Sequence, residues 1–214
     1  TLSHSSAASD VYKRQDDYMV DFEINNSNLQ NLIPTNQNMM ELDWSLKLPH
    51  TEKSIENERM YSTTYFKYLN DDVDYLSETK DDEEELVGKV QWIGFKHQFF
   101  SSVLINNLGF DKTAKITATT DEFSTEYVRN LSAHLSLPYN HKSDEKNTMQ
   151  FYFGPNHYKT LSSYNLDLEK MIPLGWGIFR WVNKYAVIPI FNFLSSWISN
   201  YGICLLYTSD AADE

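Results

Sequence analysis

Glu41-Leu42-Asp43-Trp44-Ser45-Leu46-Lys47-Leu48-Pro49 is the stretch that decides the fold class. Apolar and polar residues alternate along it until Pro49 stops the run. A period of two puts Leu42, Trp44, Leu46 and Leu48 on one face of an extended strand, with Asp43, Ser45 and Lys47 on the other. The same rhythm recurs in Tyr18, Val20, Phe22 and Ile24, which are set against Asp21 and Glu23. It appears again in Leu131, Ala133, Leu135 and Leu137, ended by Pro138, and in Met149, Phe151 and Phe153, closed by Gly154-Pro155. Val90 to Ile105 is more continuously apolar, as a central strand covered on both faces would be. Polar connections such as Asn25 to Asn28 and Asn140 to Asn147 separate these runs, with no internal repeat or heptad. The pattern predicts a mainly β chain arranged as a sandwich. A sandwich with strands missing would leave unpaired edges.

The two ends read differently. Ser5 to Gln15 is what a common transposase adapter encodes in one frame, and Cys204 to Asp213 is what its reverse complement encodes. Matches from opposite strands at opposite ends predict a fragment of a longer reading frame. Residues 1–15 and 204–214 are then adapter-derived, and the natural part runs from 16 to 203. The one cysteine, Cys204, falls in the trailing scar, so the natural part offers no disulfide, thiol nucleophile or cysteine metal site.

The formal net charge is −12. It remains strongly negative when Lys13, Arg14, Asp10, Asp210, Asp213 and Glu214 are set aside. That balance argues against a nucleic-acid partner, whose phosphates demand a basic surface. The acidic run Asp81 to Glu85, preceded by Asp71, Asp72 and Asp74, lacks the spaced ligands and turn glycine of a calcium loop and reads as a solvated loop. His50, His97, His134, His141 and His157 are scattered without metal-ligand spacing, so no metal or other cofactor is expected. His97 lies among apolar residues and reads as a core or boundary histidine. There is no GxSxG elbow and no phosphate-cradling glycine loop, and no carboxylate pair is fixed at a glycosidase separation. Nothing in the chain points to an enzyme.

After Pro155 the chemistry changes. Asn156 to Leu168 reads as a short helix or helical turn with Asn156 as N-cap. From Met171 to Ile203 the only charged residues are Arg180 and Lys184, while aromatic residues are dense. At 100° per residue, Ala186, Val187, Ile190, Phe191, Phe193, Leu194, Trp197, Ile198 and Tyr201 form one arc. Asn192, Ser195, Ser196, Ser199 and Asn200 form the opposite one. A helix packed on a sheet would give the same wheel. The aromatic density and lack of acidic residues favour an amphipathic helix lying at a membrane surface. Pro189 suits its first turn.

Three stretches carry a family resemblance: Val90 to Ile105, Phe151 to Tyr158 (Phe-Tyr-Phe-Gly-Pro-Asn-His-Tyr), and Pro173-Leu174-Gly175-Trp176-Gly177-Ile178-Phe179 running on to Ile203. They resemble the YidC-type membrane protein insertases of the YidC/Oxa/Alb family. Asp72-Val73-Asp74-Tyr75-Leu76 and the acids after it are similar to the Bacteroidetes version. The resemblance covers most of Tyr61 to Ile203.

It implies a partial β-supersandwich, with residues 16–154 as the later part of a periplasmic domain. Residues 155–203 would be a linking helix and an interfacial amphipathic helix before a truncated membrane span. The parent would sit in the inner membrane with this segment facing the periplasm. It would insert and fold nascent inner-membrane proteins, alone or with the Sec translocon, without making or breaking bonds. The lipid-contacting residues would be Trp176, Phe179, Trp181, Ile190, Phe191, Leu194, Trp197 and Ile198. The basic groove residue of such insertases lies on spans that this chain does not contain. Two other readings stand beside this one. One is a secreted carbohydrate-binding or mutarotase-like sandwich, for which His97 and His134 are the strand histidines, neither with an evident carboxylate partner. The other is a soluble scaffold using its tail for protein contacts.

Overall fold

The computed structural model describes residues 6–13, 17–27, 33–34, 36–110, 113–140, 146–175 and 181–197. They fall into two compact units, Thr1–Met171 and Ile172–Glu214. In the first unit the alternating stretches become antiparallel strands. These are β1 (Ser6–Lys13), β2 (Met19–Ser27), β3 (Met39–Pro49), β4 (Thr63–Tyr68), β5 (Val73–Tyr75) and β6 (Asp82–Val87). They continue with β7 (Val90–Lys96), β8 (Phe100–Phe110), β9 (Thr113–Thr119), β10 (Tyr127–Pro138) and β11 (Lys146–Pro155). One sheet has seven strands in the order β1-β2-β11-β8-β7-β4-β5, and the other has four in the order β3-β10-β9-β6.

The period-two faces meet between the sheets. Leu46 lies opposite Leu131, Trp44 opposite Ala133 and Leu42 opposite Leu135. The small Ala133 leaves room for the Trp44 indole, which stacks on Phe95 at 3.8 Å between ring centroids and meets Phe151 edge-on at 5.4 Å. Phe66, Ile93, Leu104, Ile116 and Leu131 are buried in the same cluster. Each such side chain contributes roughly 1.5–3 kcal/mol through burial.

The larger sheet is also covered on its outer face. The cover includes α2 (Tyr158–Ser163), which follows β11, whereas the short helix α1 (Ile55–Met60) packs Ile55 against the core between the sheets. A 3₁₀ turn, Leu168–Met171, ends the unit. Leu161, Leu168 and Met171 are fully buried, and the Trp92 indole N–H donates to Leu166 O at 2.8 Å. The turn joining α2 to the 3₁₀ segment uses positive φ at Asn165 and Asp167, residue types that tolerate it. Trp92, Val103, Ile105 and Tyr152 are therefore buried on one side while Ile93, Phe95 and Leu104 are buried on the other. That double coverage accounts for the continuous apolar run from Val90 to Ile105. The run is not one strand, however, but the paired hairpin β7–β8.

Two further expectations are corrected. The acidic run is not a loop: Asp82 to Val87 form β6, with Glu83, Glu84 and Glu85 exposed and Leu86 turned into the core. Glu83 pairs with Lys115 of the adjacent β9 at 2.9 Å. Carboxylates on an edge strand cost little and discourage further pairing. Asn156 does not cap α2, whose N-cap is His157. Its amide instead pins the β7–β8 turn, donating to His97 O (2.8 Å) and Gln98 O (3.3 Å) while Oδ1 accepts from Ser101 Oγ at 2.6 Å.

Gly154 marks the tightest approach. A Cβ there would lie 2.6 Å from the Tyr152 hydroxyl and 2.8 Å from the Tyr18 ring. The hydroxyl is held by a 2.7 Å bond to Pro155 O. At Gly94 the closest atom would be the flexible Met171 sulfur, at 2.9 Å. Gly154→Ala is therefore expected to cost about 2 kcal/mol of stability and Gly94→Ala less. Urea unfolding midpoints check the order, and an unmoved Gly154→Ala midpoint would contradict it.

Candidate membrane-facing helix and buried ion clusters

The second unit contains the helix predicted to lie at a membrane. Its described part is helical from Trp181 to Trp197. Asn183–Val187 form a π-helical turn and Ile188–Trp197 form α3. Pro189 explains the wide turn: it has no N–H for the carbonyl four residues back, and its ring crowds that carbonyl. The Ile188 N–H reaches Asn183 O, five residues back. The residues from Ile188 onward keep the phase of a regular wheel, whereas Tyr185, Ala186 and Val187 sit on a turn that departs from it. Asn183 Nδ2 donates to Leu174 O at 2.9 Å. The Trp181 and Tyr185 rings lie 5.6 Å apart, with the Lys184 ammonium 5.8 Å from the Tyr185 ring centroid.

Of the residues expected to contact lipid, Trp181 and Ile190 are 64% and 56% exposed, and Phe191 is 41% exposed. Phe193 and Tyr185 join them at 62% and 61%. Leu194 and Trp197 are on α3, but their side chains lie outside the described residues, as do Trp176, Phe179 and Ile198 entirely. Among the described residues no helix is long and apolar enough to cross a membrane.

Three ionic arrangements in the β unit escaped the sequence reading. Glu58 of α1 is fully buried. Its carboxylate accepts from Thr51 N–H at 3.1 and 3.2 Å and from Thr51 Oγ1 at 2.8 Å. His97 Nε2 lies 3.3 Å and His50 Nε2 3.5 Å from its oxygens. Burial opposes the Glu58 charge, but the bonds from Thr51 and the nearby His97 prevail and hold its pKa below the ordinary 4.5. Burial pushes His97 below 6.5 despite the pull of Glu58.

Arg129 of β10 is equally buried and donates to Ser62 O (3.0 Å), Ser77 O (2.9 Å), Glu78 O (3.3 Å) and Lys80 O. It thereby fixes the loop before β6. Lys96, 2% exposed, sits 3.7 Å from Glu78 and 5.2 Å from the Tyr65 ring centroid, and burial lowers its pKa. Two signals could have found these cations. Arg129 shares the inward parity of Leu131 and Leu135, and Lys96 interrupts an apolar run.

The histidines also need correcting, because both have a carboxylate after all. His97 faces Glu58, and His134 Nδ1 bonds Asp43 Oδ1 on the exposed face of the smaller sheet. The two pairs are separate. Between Asp43, His134, Lys115 and Glu85 lies an open depression of about 360 Å³. Among the described residues no group of three His, Cys, Asp or Glu side chains is placed to hold a metal ion.

A sandwich with a helical cover, followed by an exposed apolar helix, is the setting in which the comparisons with known proteins take their meaning. A profile of the YidC periplasmic domain matches residues 7–188. The chain belongs to the YidC periplasmic-domain family. It is 39% identical over 201 residues to the membrane protein insertase YidC of Parabacteroides distasonis, covering 90% of this chain and 31% of that protein. It is 39% identical over 200 residues to that of Azobacteroides pseudotrichonymphae (89% and 32%) and 38% over 199 to that of Phocaeicola vulgatus (89% and 32%). The chain thus spans about a third of the length of these YidC relatives. The family match favours the insertase reading over the sugar-binding one.

Stability should fall with acidity in two steps. His97 has a depressed folded pKa, so its contribution is complete above about pH 6.5 and declines as pH falls below that. Glu58, also depressed, contributes above about pH 4.5 and loses that contribution as pH falls through its folded pKa. Glu58→Gln is expected to cost about 1–3 kcal/mol at pH 7 and to remove the lower step. His97→Gln should remove the upper one. Unfolding free energies between pH 3 and 8 test this, and parallel wild-type and variant curves would refute it.

Proposed function

We propose that this chain is the later part of the periplasm-facing β domain, with the interfacial helix, of a YidC-type insertase. Residues 16–154 form the β portion and 155–203 the linking and interfacial helices, with adapter-derived residues 1–15 and 204–214 at the ends. The backbone pairing of Ser6–Lys13 with β2 is compatible with this, since a free strand edge accepts an extended chain of almost any sequence. The parent protein inserts and folds nascent inner-membrane proteins, alone or beside the Sec translocon, without covalent chemistry.

The observation that carries the reading is the exposed apolar helix that follows a β unit of this family. Trp181, Tyr185, Ile190, Phe191 and Phe193 are solvent-facing. No acidic residue occurs between Met171 and Ile203, and Arg180 and Lys184 supply positive charge. Apolar side chains with aromatic anchors and basic residues suit the headgroup region of an anionic bilayer. The lipid-contacting set is Trp176, Phe179, Trp181, Ile190, Phe191, Leu194, Trp197 and Ile198. Phosphatidylglycerol-containing vesicles are expected to float the chain. Phe191→Asp combined with Trp197→Asp should lower the bound fraction at least about tenfold, because each carboxylate opposes insertion by more than 1 kcal/mol. Unchanged flotation of the double variant would sink the interfacial assignment.

A further inference from the structure

The loop joining β9 to β10, residues 120–126, carries a side chain that the fold itself does not use. Phe123 is 96% exposed, more than any other large apolar side chain among the described residues. One apolar side chain in water is unremarkable by itself. The turn that displays it, however, is closely tied. Ser124 N–H donates to Asp121 O at 3.1 Å, Phe123 N–H to Asp121 Oδ1 at 3.1 Å and Tyr127 N–H to Ser124 Oγ at 3.0 Å.

Three neighbouring segments brace the turn from outside. Arg59 of α1 donates from Nη2 to Asp121 O (3.1 Å) and Ser124 O (3.3 Å), and from Nε to Val128 O (3.3 Å). Asp81 Oδ1 accepts from Thr120 N–H at 2.7 Å, and His50 N–H donates to Glu126 O at 2.8 Å. A loop free to move would fold the ring back onto the protein and take its apolar area out of water. The bracing holds the ring in solvent instead.

Beside the turn lies a groove of about 740 Å³, lined by residues of α1, of the segment before β6 and of the β9–β10 loop. Thr120 and Glu122, on the same loop as Phe123, form part of its wall. Met60, 47% exposed, gives it an apolar patch. Its carboxylates are Glu56, Glu78, Asp81 and Glu122, against the cations Arg59 and Lys80. Because Arg59 is turned to the loop carbonyls, the groove offers a visitor mainly negative charge. Asp121 and Glu126, both exposed, extend that charge along the loop.

We propose that Phe123 and the acidic groove beside it form an interaction surface for a partner protein that presents an apolar socket rimmed by Lys or Arg side chains. An aromatic anchor surrounded by polar contacts is the usual centre of a binding hot spot. Holding it in place beforehand lowers the ordering cost of association. Charge decides the occupant. The acids around the ring oppose an anionic bilayer, and a second copy of this chain, at a formal net charge of −12, brings the same sign. A basic rim is the complement that remains. The inference concerns the β unit and goes beyond the lipid-facing role proposed for the helix.

The test places photoreactive benzoylphenylalanine at Thr125, an exposed position on the same loop, in the full-length protein in its native membranes. Mass spectrometry is expected to map the adduct to a different polypeptide, at an apolar site flanked by Lys or Arg. Phe123→Ala should lower the adduct yield at least about tenfold, and Glu122→Lys about fivefold. The urea midpoint of Phe123→Ala should match that of the wild type, since the ring packs on nothing, so the loss is not one of folding. An adduct to lipid, to the same polypeptide, to a second copy or to a site without basic residues overturns the proposal. So does the absence of an adduct, or a yield indifferent to both substitutions. Membrane binding by the helix is read separately by flotation, so the two readings fail independently.

Discussion

Burial of the β7–β8 hairpin on both faces is the constraint on which the rest of the structure depends. Trp92, Val103 and Ile105 face one way and Ile93, Phe95 and Leu104 the other, and all six are fully buried. One side is met by the four-stranded sheet through Trp44, Leu131 and their neighbours. The other needs the cover that runs from α2 to Met171. Gly94 follows from the same demand, because Met171 and Val103 occupy the space a side chain would take. The covering segment in turn relies on Asn165 and Asp167, which turn the chain at positive φ so that Leu168 and Met171 can reach the sheet.

The buried ions serve this packing. Arg129 and Glu58 bind loops and turns that no sheet hydrogen bond reaches, and their bonds run largely to backbone groups. A buried charge is tolerated only when it is paired and hydrogen-bonded, and each of these two has several partners. The partly buried Trp44 and the exposed Phe153 present a different case. Trp44 lies on the edge strand β3, whereas Phe153 lies on β11, between β2 and β8.

The polarity of the chain changes after Pro155. The β unit buries one apolar core between its two sheets. The helix from Trp181 to Trp197 presents aromatic and aliphatic side chains to solvent with no acidic residue among them.

Alternation alone was enough to determine the strands around Val20, Trp44, Leu135 and Phe151, with their inward faces, because a strand's two faces are written two residues apart. The family was legible too, since it is carried by continuous stretches of sequence. Tertiary structure decided the rest. It made Val90 to Ile105 a hairpin, turned the acidic run into edge strand β6, and took Asn156 from a helix cap to the β7–β8 turn. It also gave His97 and His134 their carboxylates, Glu58 and Asp43, from residues 39 and 91 positions away in the chain. Periodicity reports which face a side chain occupies. What lies across that face depends on chain closure over long separations, which no local pattern encodes.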